Sequence, residues 1–137
     1  MSQFRVVISE FLDEAALGGF GEDYDIVYDP ALVDDRQRLL GLLHDADAII
    51  VRNRTRVDGD LLDAAPSLKV VGRLGVGLDN IDLEACDRRS IDVKPATGAN
   101  TLSVVEYVIA TALVLARGAY QGNEQMLAGN WPRDRFI

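Results

Sequence analysis

Three glycines and an arginine gather in the segment Gly72-Arg73-Leu74-Gly75-Val76-Gly77-Leu78-Asp79-Asn80, between an apolar, β-branched run and a stretch of helical character. Glycines this close together let consecutive backbone N–H groups point into one concavity, which is one way to hold a carboxylate. The same residues also suit an ordinary tight turn, and spacing alone leaves both uses open. A dinucleotide-binding turn fits less well. Counted from Gly75, its third glycine would fall at position 80, where Asn80 stands, and no convincing acidic partner follows a later strand.

A second group lies upstream. Arg52, Asn53, Arg54 and Thr55 place two guanidinium groups and two neutral polar groups directly after another apolar run. Arginine offers forked donors matched to carboxylate, phosphate or sulfonate, so the pair suits a small molecule with a second anionic group. Surface pairing of these arginines with Asp58 or Asp60 is the alternative. Asn100 can cap a following helix or donate to a ligand, and capping is the commoner use.

The elements that must position these groups follow a regular alternation. Phe4 to Ser9, Tyr24 to Tyr28, Ala46 to Val51, Leu68 to Gly72 and Ile91 to Lys94 read as short strands. Helices are expected over Phe11 to Phe20, Val33 to His44, Gly59 to Ala65 and Asp82 to Arg89, with Gly18, Gly19 and Gly21 stopping the first. Strands alternating with helices, in short apolar runs without strict polar alternation, predict an α/β fold: a flavodoxin-like, parallel five-stranded sheet with helices on both faces. The ligand crevice of such a sheet lies beyond the carboxyl ends of its strands. Here that means Glu10, Arg52 to Thr55, Gly75 to Asn80 and Thr97 to Asn100, so both candidate groups fall at one edge.

The last part of the chain is of another kind. Ser103 and Glu106 have the spacing of a capping box, and Val104 to Ala116 carries Glu106 as its one charge, so this helix is apolar nearly all round and calls for a partner to cover it. It is too short to span a membrane, which takes about 20 apolar residues. After Gly118, Tyr120 to Ala128 reads as a second helical arm ending at Gly129 and Asn130, before Trp131 and Pro132. The division expected is a flavodoxin-like domain over 1–100 and a long helix with its arm over 101–137. A chain ending five residues beyond Pro132 reads as cut short.

Composition narrows the partners. The formal net charge of −8 opposes nonspecific attraction to nucleic acid or anionic membrane, and 48% hydrophobic residues over 137 positions can build one core. The amino terminus lacks the pattern of a signal peptide, and the one cysteine, Cys86, reads as a packed thiol, both consistent with a cytoplasmic protein. The acidic residues show no metal-ligand spacing, and His44 reads as a structural or surface residue near a helix end.

Taken together, VVGRLGVGLDNIDLEAC (Val70 to Cys86), GAN (Gly98 to Asn100), SVVEYV (Ser103 to Val108) and VRNRT (Val51 to Thr55) resemble the D-2-hydroxyacid dehydrogenases, especially their phosphoglycerate dehydrogenase branch, over essentially the whole chain. The resemblance implies a flavodoxin-like substrate domain joined by a long helix to a separate NAD-binding Rossmann domain. It implies that the backbone of Gly75, Val76 and Gly77 binds the carboxylate of a 2-hydroxyacid or 2-oxoacid, with Asn53 and Asn100 beside it. Val76 and Val104 would touch the nicotinamide end of NAD. Arg52 and Arg54 would hold a distal phosphate or sulfonate, with Arg133 offered across a homodimer. The family's catalytic arginine, glutamate and histidine would lie beyond Ile137, so these residues alone are expected to be inactive.

Two other readings compete. A phosphoreceiver has a similar fold and a Lys-Pro after its fifth strand, as Lys94-Pro95 stands here, but it needs an aspartate after the third strand and an acidic pair after the first. Arg52 and Ser9-Glu10 occupy those places. A stand-alone anion-binding or regulatory module without catalysis is the other, and self-association through the apolar helix would then be expected.

Overall fold

The computed structural model describes residues 3–118 and 120–136. They form two compact units, Met1–Gly98 and Ala99–Ile137.

The first unit is built on five parallel strands: β1 (Phe4–Ile8), β2 (Tyr24–Tyr28), β3 (Ala48–Val51), β4 (Val70–Arg73) and β5 (Asp92–Pro95). Their spatial order is β2-β1-β3-β4-β5, the flavodoxin-like order. Val7 pairs with both Val27 and Ile49, and Ile49 with Val71, so one side chain per strand points to the same face. That face carries the main core. Leu39 and Leu43 of α1 (Arg36–Leu43), Leu61 and Leu62 of α2 (Gly59–Ala64), and Ala85 and Cys86 of α3 (Leu83–Arg88) pack on it. The other face, with Val6, Ile8 and Ala48, is covered within this unit by Leu12, Leu17 and Phe20.

Local chemistry sets the ends of these elements. Asp35, Asp58 and Asp82 cap α1, α2 and α3 by accepting the N–H of Arg38, Leu61 and Ala85. At the amino ends of the strands, Asp47 accepts the Arg5 N–H and pairs with Lys69 at 2.7 Å; the Lys69 ammonium foremost, and then the Arg5 amide, hold its carboxyl below the ordinary value.

Three expectations shift. The helix expected over Phe11 to Phe20 is a 3-10 turn, Glu14–Gly19, because Gly18 and Gly19 deny it a second α-turn. The expected helix over Val33 to His44 divides into a 3-10 turn, Pro30–Asp34, and α1, since the Asp35 side chain opens a new helix. The Ser103–Glu106 capping box does not form. In the second unit α4 spans Thr101–Arg117, so Ser103 lies inside the helix; Asn100 takes the N-cap position without a side-chain cap bond. Gly118 closes α4 at φ 63°, and α5 is a short helix, Asn123–Leu127. No described side chain of α4 is buried.

Candidate functional site

The carboxyl ends of β1, β3 and β4 bring three loops to one edge of the sheet. The first continues from Ile8 through Ser9 and Glu10, both buried, the latter 5% exposed. Glu10 is withdrawn from water because its carboxylate serves as an acceptor inside the fold. Oε1 takes the Arg52 N–H at 2.8 Å and the Thr55 N–H at 2.9 Å, and Oε2 takes the Arg54 N–H at 3.2 Å. Burial works to raise its pKa, but the amides of Thr55, Arg52 and Arg54 and the Thr55 hydroxyl together outweigh that and hold the carboxyl below its ordinary value. The Ser9 and Thr55 hydroxyls meet at 2.9 Å beneath the same loop. The backbone that carries both arginines is therefore held in place by the protein itself.

The two arginines differ in what they touch. Arg52 is half-buried, with its guanidinium 5.8 Å from the centre of the Phe11 ring and Nη1 donating to the Phe11 carbonyl at 3.4 Å. Arg54 is exposed and pairs with Asp34. Its partner is thus neither Asp58 nor Asp60; Asp58 pairs with Arg36 and accepts the Leu61 N–H. Arg52, Asn53 and Arg54 line a concavity of about 250 Å³ that Glu10, Phe11, Pro30 and Val33 complete.

The glycine turn leaves the adjacent strand, since Val51 pairs with Arg73 and the Leu74 N–H donates to the Val51 carbonyl at 2.8 Å. Gly75 adopts φ +157°, and a Cβ there would lie 2.0 Å from Arg73 Nη1. A side chain there would be strained at this φ and would have to push the Arg73 guanidinium aside. Arg73 Nε is buried and donates no hydrogen bond. Val76 and Gly77 are exposed, and the Ala96 N–H, just past β5, ties the turn down through the Arg73 and Gly75 carbonyls at 2.9 and 3.1 Å.

Asn80 joins the two loops. Its Nδ2 donates to the Arg52 carbonyl at 3.2 Å and to the Thr55 carbonyl at 2.7 Å. This position is where a dinucleotide-binding turn needs its third glycine, and α3 begins only at Leu83. The described residues of this turn therefore do not fit the pyrophosphate of NAD.

Of the residues singled out in the sequence, Arg52, Asn53, Arg54, Gly75, Val76 and Gly77 lie on neighbouring loops of the first unit. Asn100, Val104 and Arg133 belong to the second. There Val104 is 51% exposed on α4, and Arg133 is exposed at the start of a 3-10 turn, Arg133–Phe136. Glu10, Asn80 and Arg73 had been given no binding role; the available signal was their position in, or next to, the loops at the carboxyl edge. Among the described residues no three His, Cys, Asp or Glu side chains are placed to hold a metal ion, and no helix is long and apolar enough to cross a membrane. Burial pushes the Cys86 thiol up, away from reactive thiolate.

Comparison with known proteins bears on the family and the fold. Residues 6–129 match the family model for the catalytic domain of D-isomer specific 2-hydroxyacid dehydrogenases. The chain is 56% identical over 132 residues to the (S)-sulfolactate dehydrogenase of Chromohalobacter salexigens, covering 96% of this chain and 43% of that protein. It is 41% identical over 102 residues to the D-3-phosphoglycerate dehydrogenase of Archaeoglobus fulgidus, covering 74% of this chain and 19% of that one. The NAD+-bound 3-phosphoglycerate dehydrogenase of Entamoeba histolytica superposes with a TM-score of 0.65 at 27% identity, over 82% of this chain and 39% of the other. The chain thus spans less than half the length of the relatives it matches. It belongs to the D-isomer specific 2-hydroxyacid dehydrogenase family.

Proposed function

We propose that this chain is the substrate-recognising part of an NAD-dependent dehydrogenase for a 2-hydroxyacid with a second anionic group, such as sulfolactate or 3-phosphoglycerate. The observation that carries this reading is the joining of the arginine loop to the glycine turn through Asn80. Amide hydrogens of Gly75 to Gly77 receive the carboxylate common to all 2-hydroxyacids. Arg52 and Arg54 receive the distal phosphate or sulfonate, and Arg54 exchanges Asp34 for it. The names of the sulfolactate and phosphoglycerate dehydrogenase relatives support a two-anion substrate.

NAD supplies the hydride acceptor in such an enzyme, bound mainly by another domain, with Val76 and Val104 as this chain's contacts to it. Asn53 assists at the carboxylate, and Arg133 adds a cation across a homodimer in the cytoplasm. Proton transfer needs a base close to the substrate hydroxyl. Glu10 does not serve, since its oxygens are occupied by backbone amides and its basicity is lowered. The 137 residues alone are accordingly expected to bind substrate and not turn it over.

Calorimetric titration of the chain with (S)-sulfolactate and (R)-lactate, which share one spatial arrangement at the hydroxyl carbon, tests the reading. Arg54→Ala is expected to cost sulfolactate about 2 kcal/mol, the scale of a charged hydrogen bond, and lactate little. Equal losses for the two acids would remove Arg54 from the site.

A further inference from the structure

We propose that Glu10 and Asn80 are positioning residues that brace the 52–55 loop from two sides and so set how well the substrate's second anionic group is recognised. The proposal rests on the reading that Arg52 and Arg54 take that group.

The brace is visible in where the loop's backbone groups go. The N–H groups of Arg52, Arg54 and Thr55 all donate to the Glu10 carboxylate. On the carbonyl side, Arg52 and Thr55 accept from Asn80 Nδ2. A short loop with three of its N–H groups on one side chain and two of its carbonyls on another has little freedom left. Each brace is itself anchored. Glu10 follows directly on buried Ser9 at the end of β1. The backbone around Asn80 is held by the Val57–Ile81 bridge, in which the Val57 N–H donates to the Asn80 carbonyl and the Asp82 N–H to the Val57 carbonyl, both at 2.8 Å.

Long arginine side chains lose affinity when their base moves, because each contact then costs additional ordering. A carboxylate that fixes the loop through its amides does so without pairing with either guanidinium. The guanidinium groups have other partners, the Phe11 carbonyl for Arg52 and Asp34 for Arg54, which a ligand's anion would replace. Asn80 adds a coupling, since it sits in the same loop as the glycine turn and grips the arginine loop. The spacing between the carboxylate end and the distal-anion end of the site is thereby set by one side chain.

The test compares wild type, Asn80→Ala and the isosteric Glu10→Gln. Each variant is expected to bind (S)-sulfolactate about tenfold more weakly, as for one lost hydrogen bond to a charged group or one lost amide donor, and to lose much less affinity for (R)-lactate. Unchanged sulfolactate affinity, or equal losses for both acids, overturns the proposal; equal losses would mark a merely structural role. Glu10→Gln decides the matter if Asn80→Ala fails to fold. A wild-type chain that does not prefer sulfolactate defeats the two-arginine reading instead. Amide exchange at Arg54 and Thr55 then tests the brace on its own: slow in wild type and faster in Glu10→Gln supports it, and equal rates refute it.

Discussion

A carboxyl group taken out of water ordinarily holds its proton more tightly, and Glu10 does the opposite. Three amides aimed at it cost the fold little, because the chain must place those N–H groups somewhere, and they favour the charged form. A pKa depressed on folding means that the charged form stabilises the native state above the ordinary value of 4.5, and that this contribution is lost as pH falls through the lower native value. Glu10→Gln should therefore be less stable than wild type near neutral pH, with the gap closing below pH 4.5. Denaturant unfolding at both conditions measures it. A gap that widens in acid would contradict the assignment. The sequence places Glu10 at the carboxyl edge but does not show its partners: Glu10 and Thr55 are 45 positions apart, and the pairing of β1 with β3 brings them together.

At the scale of elements, strand positions were legible because burial on both faces demands unbroken β-branched runs such as those around Val7, Ile49 and Val71. The α/β alternation and the carboxyl-edge location of the two candidate loops followed from the same runs. Element ends were less legible, since they turn on single side chains. Asp35 starts a new helix where a leucine-rich pattern reads as continuous, and α4 begins before Ser103 can cap it. The glycine turn carried two readings in sequence; its geometry adds a specific reason for Gly75, where a side chain would collide with the Arg73 guanidinium. Gly75→Ala should accordingly displace Arg73 and weaken binding of sulfolactate and lactate alike, because the damage falls on the shared carboxylate end. Titration of both acids checks this, and an effect confined to sulfolactate would place the carboxylate elsewhere.

For the molecule as a whole, a net charge of −8 opposes anions at long range, so the proposed site depends on a local arrangement of donors, for which three arginines, Arg52, Arg54 and Arg73, stand at or beside the carboxyl edge. Long-range repulsion opposes the ligand and salt relieves it, while the short-range donors choose it. The second unit contributes an apolar helix with Leu102, Tyr107, Leu113 and Leu115 each more than half exposed, a surface of the kind that other protein covers. The central claim is that two neighbouring loops read the two ends of one small dianion. Amide NMR of the chain during titration with (S)-sulfolactate addresses it directly. Shifts at Gly75 to Gly77 and at Arg52 to Arg54 that saturate together are predicted, with (R)-lactate moving the glycine turn alone; shifts confined to one loop for sulfolactate, or to neither, would contradict it.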